Sequence, residues 1–267
     1  MKDIPLSIFS AKRLLWLGLM LVLVPGVKAQ VDPGVKPASP PPEPRPLETR
    51  SLPAIVFTPP ERGMPGNREG AGTRGCDQAD QDLTLTALLP SNHLGLTAQA
   101  QPTFFWAAPA APEQFLEFNL NDAEENVLYS IRIPGFAQAS IGSVTLPQDI
   151  SLQVDQLYHW YVALICDPQS RSADIVVDGW IKRVELPAHE QILTQMFLPR
   201  YRSHYLAESG LWHDALSLLS RGRQDFPELW QQSWFELLEA EDLGSLADLP
   251  LQSSEVLAYQ PVNSSSF

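Results

Sequence analysis

The hydrophobic pattern of the chain has two periods. Between Leu83 and about Val184, apolar and polar residues alternate. In Gln114 to Leu120, Leu116, Phe118 and Leu120 fall on one side and Glu117 and Asn119 on the other. The odd positions Val127, Tyr129, Ile131 and Ile133 form the apolar face of the next segment. In Leu157 to Cys166, Tyr158, Trp160, Val162, Leu164 and Cys166 share one side. Alternation of period two marks a strand buried on one face. Leu83–Leu89, Pro102–Trp106, Gly142–Leu146 and Ala173–Val184 read as further strands. Turn residues separate them at Pro90-Ser-Asn92, Pro109-Ala-Ala-Pro112, Asn121-Asp122, Pro134-Gly135 and Asp167-Pro168. Seven short strands with regular turn signals predict an antiparallel β-sandwich of immunoglobulin or fibronectin-III type over residues 61–186. The run Pro102-Thr-Phe-Phe-Trp-Ala-Ala-Pro109 is similar to an early strand of a fibronectin-III domain. An antibody domain would carry Tyr two residues before its second Cys, where this chain has Leu164.

After Pro187 the period becomes helical. Ala188–Leu198, Tyr201–Ser209, Trp212–Arg223 and Leu229–Glu241 read as helices, divided by Pro199, Gly210, Pro227 and Gly244. Gly210, Ala215, Leu219, Gly222 and Pro227 have the spacing of a tetratricopeptide repeat, and Gly244 follows Gly210 by one repeat length. The preceding helix departs from that pattern at Pro199, Arg202 and Ser203, and no third unit follows. Stable arrays need about three repeats, so this helical segment, residues 187–248, is expected to pack on the sandwich. The fold class is thus mainly β with α. Residues 249–267 read as a disordered tail.

The N-terminal region is different in kind. Lys12 and Arg13 precede the uncharged apolar run Leu14 to Val24, Pro25 and Gly26 break it, and Val27-Lys-Ala29 offers small residues before Gln30. Residues 1–29 therefore read as a signal peptide, with an uncleaved anchor as the alternative. A spanning helix needs about 20 apolar residues, so no stable membrane span is expected after cleavage. Residues 30–60 read as a proline-rich linker, built around Pro37-Ala-Ser-Pro-Pro-Pro-Glu-Pro-Arg-Pro46, which favours extended conformations. Residues 61–75 follow as a Gly/Arg-rich loop.

Export bears on the cysteines. The two in the chain, Cys76 and Cys166, are expected to pair in an oxidising compartment. The closed loop of about 90 residues would be worth roughly 4–5 kcal/mol in the chain-entropy account. A reactive free thiol is the alternative.

Charge excludes one class of partner. The chain has 18 Lys and Arg against 31 Asp and Glu, a net charge of −13. Residues 77–267 hold 8 basic and 25 acidic side chains, whereas Arg62, Arg68 and Arg74 gather upstream. Such a body repels nucleic acid.

Few motifs carry chemistry. Gly70-Ala-Gly72-Thr-Arg-Gly75 matches G-x-G-x-x-G, but dinucleotide binding needs a strand before and a helix after, and here a linker precedes and a strand follows. Arg62, Arg68 and Arg74 could grip carboxylates of an acidic partner or polysaccharide, or dock on the chain's own acidic body. His93, His159, His189, His204 and His213 make no H-E-x-x-H and no tight metal spacing. His159 is expected exposed opposite Trp160, and His213 opens a helix as a solvated or capping residue. Asp122, Glu124 and Glu125 stand in a hairpin turn that could supply part of a calcium shell or simply be solvated. Trp106, Trp160, Trp180, Trp212, Trp230 and Trp234 could offer binding platforms or fill a core. No G-x-S-x-G elbow occurs, and no carboxylate pair stands out for glycoside cleavage. No cofactor or metal is expected.

Several segments together carry a resemblance: Arg62-Gly-Met-Pro65, Ala71-Gly-Thr-Arg-Gly-Cys76, Leu85-Thr-Ala-Leu-Leu-Pro90, Pro102-Thr-Phe104, Cys166-Asp-Pro168, Arg171-Ser172, Gly179-Trp-Ile181 and Gly210-Leu-Trp-His-Asp-Ala-Leu216. Over about residues 60–245 the chain resembles a cyanobacterial family known as domain of unknown function 928. The resemblance implies an exported protein of a photosynthetic bacterium and brings no catalytic residue. The expectation is a non-enzymatic extracytoplasmic module, periplasmic or secreted, that binds an envelope or extracellular protein. A carbohydrate-binding module using exposed aromatics and the arginine loop is the alternative, and a hydrolase with a carboxylate pair is a third.

Overall fold

The period-two segments form two sheets. In the computed structural model, which describes residues 53–70 and 83–252, β1 (Thr86–Ala87), β3 (Thr103–Ala108) and β6 (Ser140–Thr145) make a three-stranded sheet in the order β1-β3-β6. A five-stranded sheet has the order β2-β8-β7-β4-β5, from β2 (Leu94–Thr97), β8 (Ile175–Arg183), β7 (Leu157–Ile165), β4 (Phe115–Asn121) and β5 (Val127–Pro134). The core between them holds Phe104, Trp106, Leu116, Phe118, Leu120, Trp160, Val162, Leu164 and Val177. These are the residues that the alternation put on one face, and β4 pairs with β7 so that Phe118 lies beside Val162 and Leu120 beside Trp160.

Two strand expectations are corrected. β2 was unforeseen because Leu94-Gly-Leu-Thr97 is short and carries a glycine, a weak strand former. It pairs with β8 in parallel, Leu94 opposite Trp180 and Thr97 opposite Arg183, so the sandwich is not wholly antiparallel. At the start of β5, Val127 is 59% exposed, whereas Tyr129, half-buried, packs against the sandwich core with Ile131 and Ile133. The strand lies at the sheet's edge, and Val127 is beyond the cover of the opposite sheet.

Four helices form a third layer: α1 (Ala188–Met196), α2 (Pro199–Glu208), α3 (Trp212–Asp225) and α4 (Pro227–Glu239). Pro199 and Pro227 occupy first helical positions, where the missing N–H removes no helix bond. The helices cover the outer face of the three-stranded sheet. Phe105, Ala107, Leu88 and Ile141 point away from the sandwich core into a second one, with Leu206, Trp212, Leu216, Leu219, Trp234 and Leu237. This explains why every residue of Thr103–Ala108 is buried: a strand covered on both faces reads as a continuous apolar run. Trp212 Nε1 donates to Leu88 O at 2.9 Å, tying α3 to the residue that follows β1.

The linker and tail boundaries are also corrected. Ile55 and Phe57, placed in the linker, are buried in the helical core, with Phe57 edge-on to Trp212 at 4.9 Å. At the other end Leu251 forms a parallel bridge with Ile141, and Ile141 N donates to Pro250 O at 2.9 Å. Apolar residues at the margins of polar stretches complete a core built elsewhere, which local composition does not reveal.

Candidate functional site

Three surfaces carry features that packing alone does not require. The first is the outer face of the five-stranded sheet, which no helix covers. Its polar side chains are the off-face residues of the alternation, arranged in rows by the register: Glu117 beside Arg132, Asn119 beside Tyr161, and Asn121 beside His159, which faces Trp180. Glu117 accepts from Arg132 Nε at 2.7 Å and Arg171 Nη2 at 3.0 Å. Burial opposes its ionisation, but the two guanidinium groups outweigh that and hold its carboxyl below the usual range.

His159 is not the exposed residue expected. Its Nδ1 meets Glu125 at 3.0 Å, its Nε2 meets Asp178 at 3.0 Å, and its ring stacks on Trp180 at 4.7 Å. Asp178 first, and Glu125 with it, raise the imidazole pKa against the effect of burial. The hairpin turn delivers Glu125, at a positive φ of 64°. Asp122 holds that turn by accepting from Glu124 N, Asn126 N and Asn126 Nδ2. Its oxygens are thus engaged within the turn.

Of the three candidate arginines, Arg62 and Arg68 lie among the described residues. Residues 63–70 run along the sandwich edge: Asp178 N donates to Asn67 O, Ala87 N to Arg68 O, and Gly70 N to Leu85 O. Trp180 Nε1 donates to Pro65 O at 2.9 Å. Arg68 Nη1 donates to the Glu241 carbonyl at 2.7 Å, so it is held by its own chain. Arg62 is exposed. Arg74 and Cys76 lie outside the described residues, as do Gly72 and Gly75. Cys166 follows the last residue of β7, packs against the sandwich core, and its N–H donates to Asp174.

The second surface is the junction of α3 with the sheets. His213, expected to be solvated or capping, is buried: Nδ1 lies 3.1 Å from Thr103 O, and Nε2 abuts Gly95, where a Cβ would collide with the ring. Burial lowers its pKa to about 4, the Thr103 carbonyl offsetting part of the effect. Asp214 beside it accepts from Ala98 N and Gln99 Nε2. Burial raises its pKa even so. These bonds fix one wall of a hollow of about 550 Å³ lined by α1, α2, α3 and the end of β8.

The third surface is α1 and the corner after it. Ile192 is 59% exposed, Met196 75% and Leu198 69%, with Leu193, Phe197 and Tyr201 exposed beside them. Thr194 is the one buried residue of α1. The tryptophans behave oppositely: Trp106, Trp160, Trp212, Trp230 and Trp234 are all buried, leaving half-buried Trp180 as the one described tryptophan near the surface. The five buried indoles fill cores and offer no face to a ligand.

Family comparison fits this architecture. The family described as Domain of Unknown Function (DUF928) matches residues 69–251. The chain belongs to that family. The matched span of this DUF928 member begins at Glu69, which bridges Thr86, and ends at Leu251, which bridges Ile141. It therefore takes in both sheets and all four helices as one unit. A comparison with curated proteins finds no match.

Proposed function

We propose that this chain is a non-enzymatic, exported interaction module that docks a protein partner through α1 and the α1–α2 corner. The single observation carrying the reading is the apolar ridge Ile192, Leu193, Met196, Phe197, Leu198 and Tyr201, left open on a helix with one buried residue. Contiguous exposed apolar surface of this kind marks interaction sites in soluble proteins. An amphipathic helix presenting anchors at i, i+1, i+4 and i+5 also suits helix-in-groove recognition.

The finer architecture belongs to the same proposal. The sandwich is of immunoglobulin or fibronectin-III type, with its first strand shared between the sheets as β1 and β2. The α3–α4 pair is a tetratricopeptide-like unit, supported by the fit of Trp230 against Gly222. Cys76 and Cys166 form the disulfide, residues 1–29 direct export, and the source is a cyanobacterium.

The test is retention of partners from the host's envelope fraction by immobilised protein, compared with an Ile192→Ser/Met196→Ser/Leu198→Ser variant. These side chains are exposed, so the variant keeps the parent's melting temperature. Loss of a specific protein from the retained set is the expected result. An identical retained set contradicts the reading.

A further inference from the structure

The hollow beside His213 and Asp214 continues into a second of about 540 Å³, and the two share Thr103, Ser217 and Arg221. Together they make a trough along α3. We infer that this trough binds an acidic, polyhydroxylated ligand: a sugar acid or a short oligomer of sugar acids. The site is separate from the α1 ridge, and failure of the docking proposal leaves it standing.

The argument starts from unpaired cations in an acidic chain. With a net charge of −13, a surface arginine has many carboxylates to choose from. Arg132 and Arg171 find theirs. Arg202 and Arg221, both lining the trough, do not. Arg202 reaches the Gln195 carbonyl only at 3.5 Å, and its Nε is buried without a partner among the described residues. Arg221 makes no hydrogen bond or ion pair with any described residue. Arg183, the third arginine of the first hollow, is occupied with the carbonyls of Ala98 and Leu152. Two acids line that hollow as well, Glu185 and Asp214, and Asp214 is taken up by Ala98 and Gln99. A buried, unsatisfied guanidinium donor calls for an acceptor, and planar donors of this kind match carboxylate or sulfate oxygens.

The rest of the lining narrows the class. Gln101 from the β2–β3 loop, Thr103 from β3, Ser217 and Gln224 from α3, and Gln252 from the segment after α4 line the trough. Gln101, Thr103 and Gln252 are held by Ser151, Thr145 and Ser140, which leaves Ser217 and Gln224 open beside the two arginines. Amide and hydroxyl groups both donate and accept, which suits a ligand bearing hydroxyls that do the same. An acidic peptide would satisfy the arginines and leave the Ser217 hydroxyl and the Gln224 amide without partners.

Calorimetric titration of the full chain with a galacturonate hexamer, cellohexaose and hexaglutamate tests the assignment. The uronate is expected to bind at least about tenfold more tightly than either other probe, and to weaken as salt rises. Arg221→Gln is expected to weaken it about tenfold, the scale of one charge-assisted contact. Because Arg221 is exposed, that variant keeps the parent's melting temperature. Gln224→Ala, a second surface change, is expected to weaken the uronate while leaving hexaglutamate unaffected. Absence of uronate binding, equal or tighter binding of hexaglutamate, or unchanged uronate affinity in Arg221→Gln would overturn the inference.

Discussion

At the scale of residues, two histidines show how far burial and partners can separate one side-chain type. His159 is drawn toward the charged form by two carboxylates, and His213 is pushed toward the neutral form by burial. The folded pKa of His213, about 4, lies below the value near 6.5 expected of an unfolded chain. The unfolded state therefore takes up its proton first on acidification. The stability at stake is fully present above about pH 6.5 and is lost as pH falls toward 4, about 3 kcal/mol in all. Asp214, with its raised pKa, works in the opposite sense and offsets part of this in the parent. Urea denaturation at pH 7 and pH 4.5 of the parent and of His213→Asn isolates the term: the variant should lose less stability across that interval. Equal losses would contradict the burial assigned to His213. Gly222 provides a packing test, since a Cβ there would overlap the Trp230 indole. Gly222→Ala should destabilise the chain by about 1–3 kcal/mol despite its better helix propensity, read as a lower denaturation midpoint. Neither histidine's environment was legible in the sequence. Strand and helix periods say which side a residue takes, not what another segment lays over that side.

At the scale of elements, legibility follows how locally each element is determined. β4 and β7 alternate cleanly because one face meets the opposite sheet and the other carries the polar rows. All four helices were legible, since Pro199, Gly210 and Pro227 punctuate a helical period. β2 was not, because its pairing with β8 supplies the hydrogen bonds that its own residues do not advertise. Ile55 and Phe57 were not either, since a proline-rich neighbourhood masks two apolar anchors. The structure turns those anchors into a prediction. Phe57→Ala removes a buried ring packed on Trp212 and should cost about 3 kcal/mol, detected as a lower melting temperature. A neutral result would show that residues 53–60 are dispensable to the helical core. Of the sequence's candidate site residues, Arg68 is spoken for by Glu241, while Arg202 stands in the sequence only as a departure from the repeat pattern and Arg221 not at all, because unpaired charge is a property of surroundings.

At the scale of the whole molecule, three layers share two cores. The three-stranded sheet is covered on both faces, and the five-stranded sheet keeps one face open with a paired set of charges. Among the described residues, this arrangement leaves the α1 ridge as apolar surface without internal use. The proposed disulfide belongs to this scale as well, since it would tie the end of β7 to the segment before β1. Intact protein treated with an alkylating agent in denaturant without reductant should take up no label at Cys76 or Cys166. Labelling of both contradicts the pairing. Reduction should cost roughly 4 kcal/mol if the closed loop of about 90 residues acts through chain entropy.

The docking role of α1 is tested most directly by a photoreactive residue placed at Met196 and activated in the host. The account predicts a crosslink to one protein species, lost when Ile192 and Leu198 are also changed to serine and not formed from a control position at Asp149. The same adducts from Met196 and Asp149, or none from Met196, would contradict it.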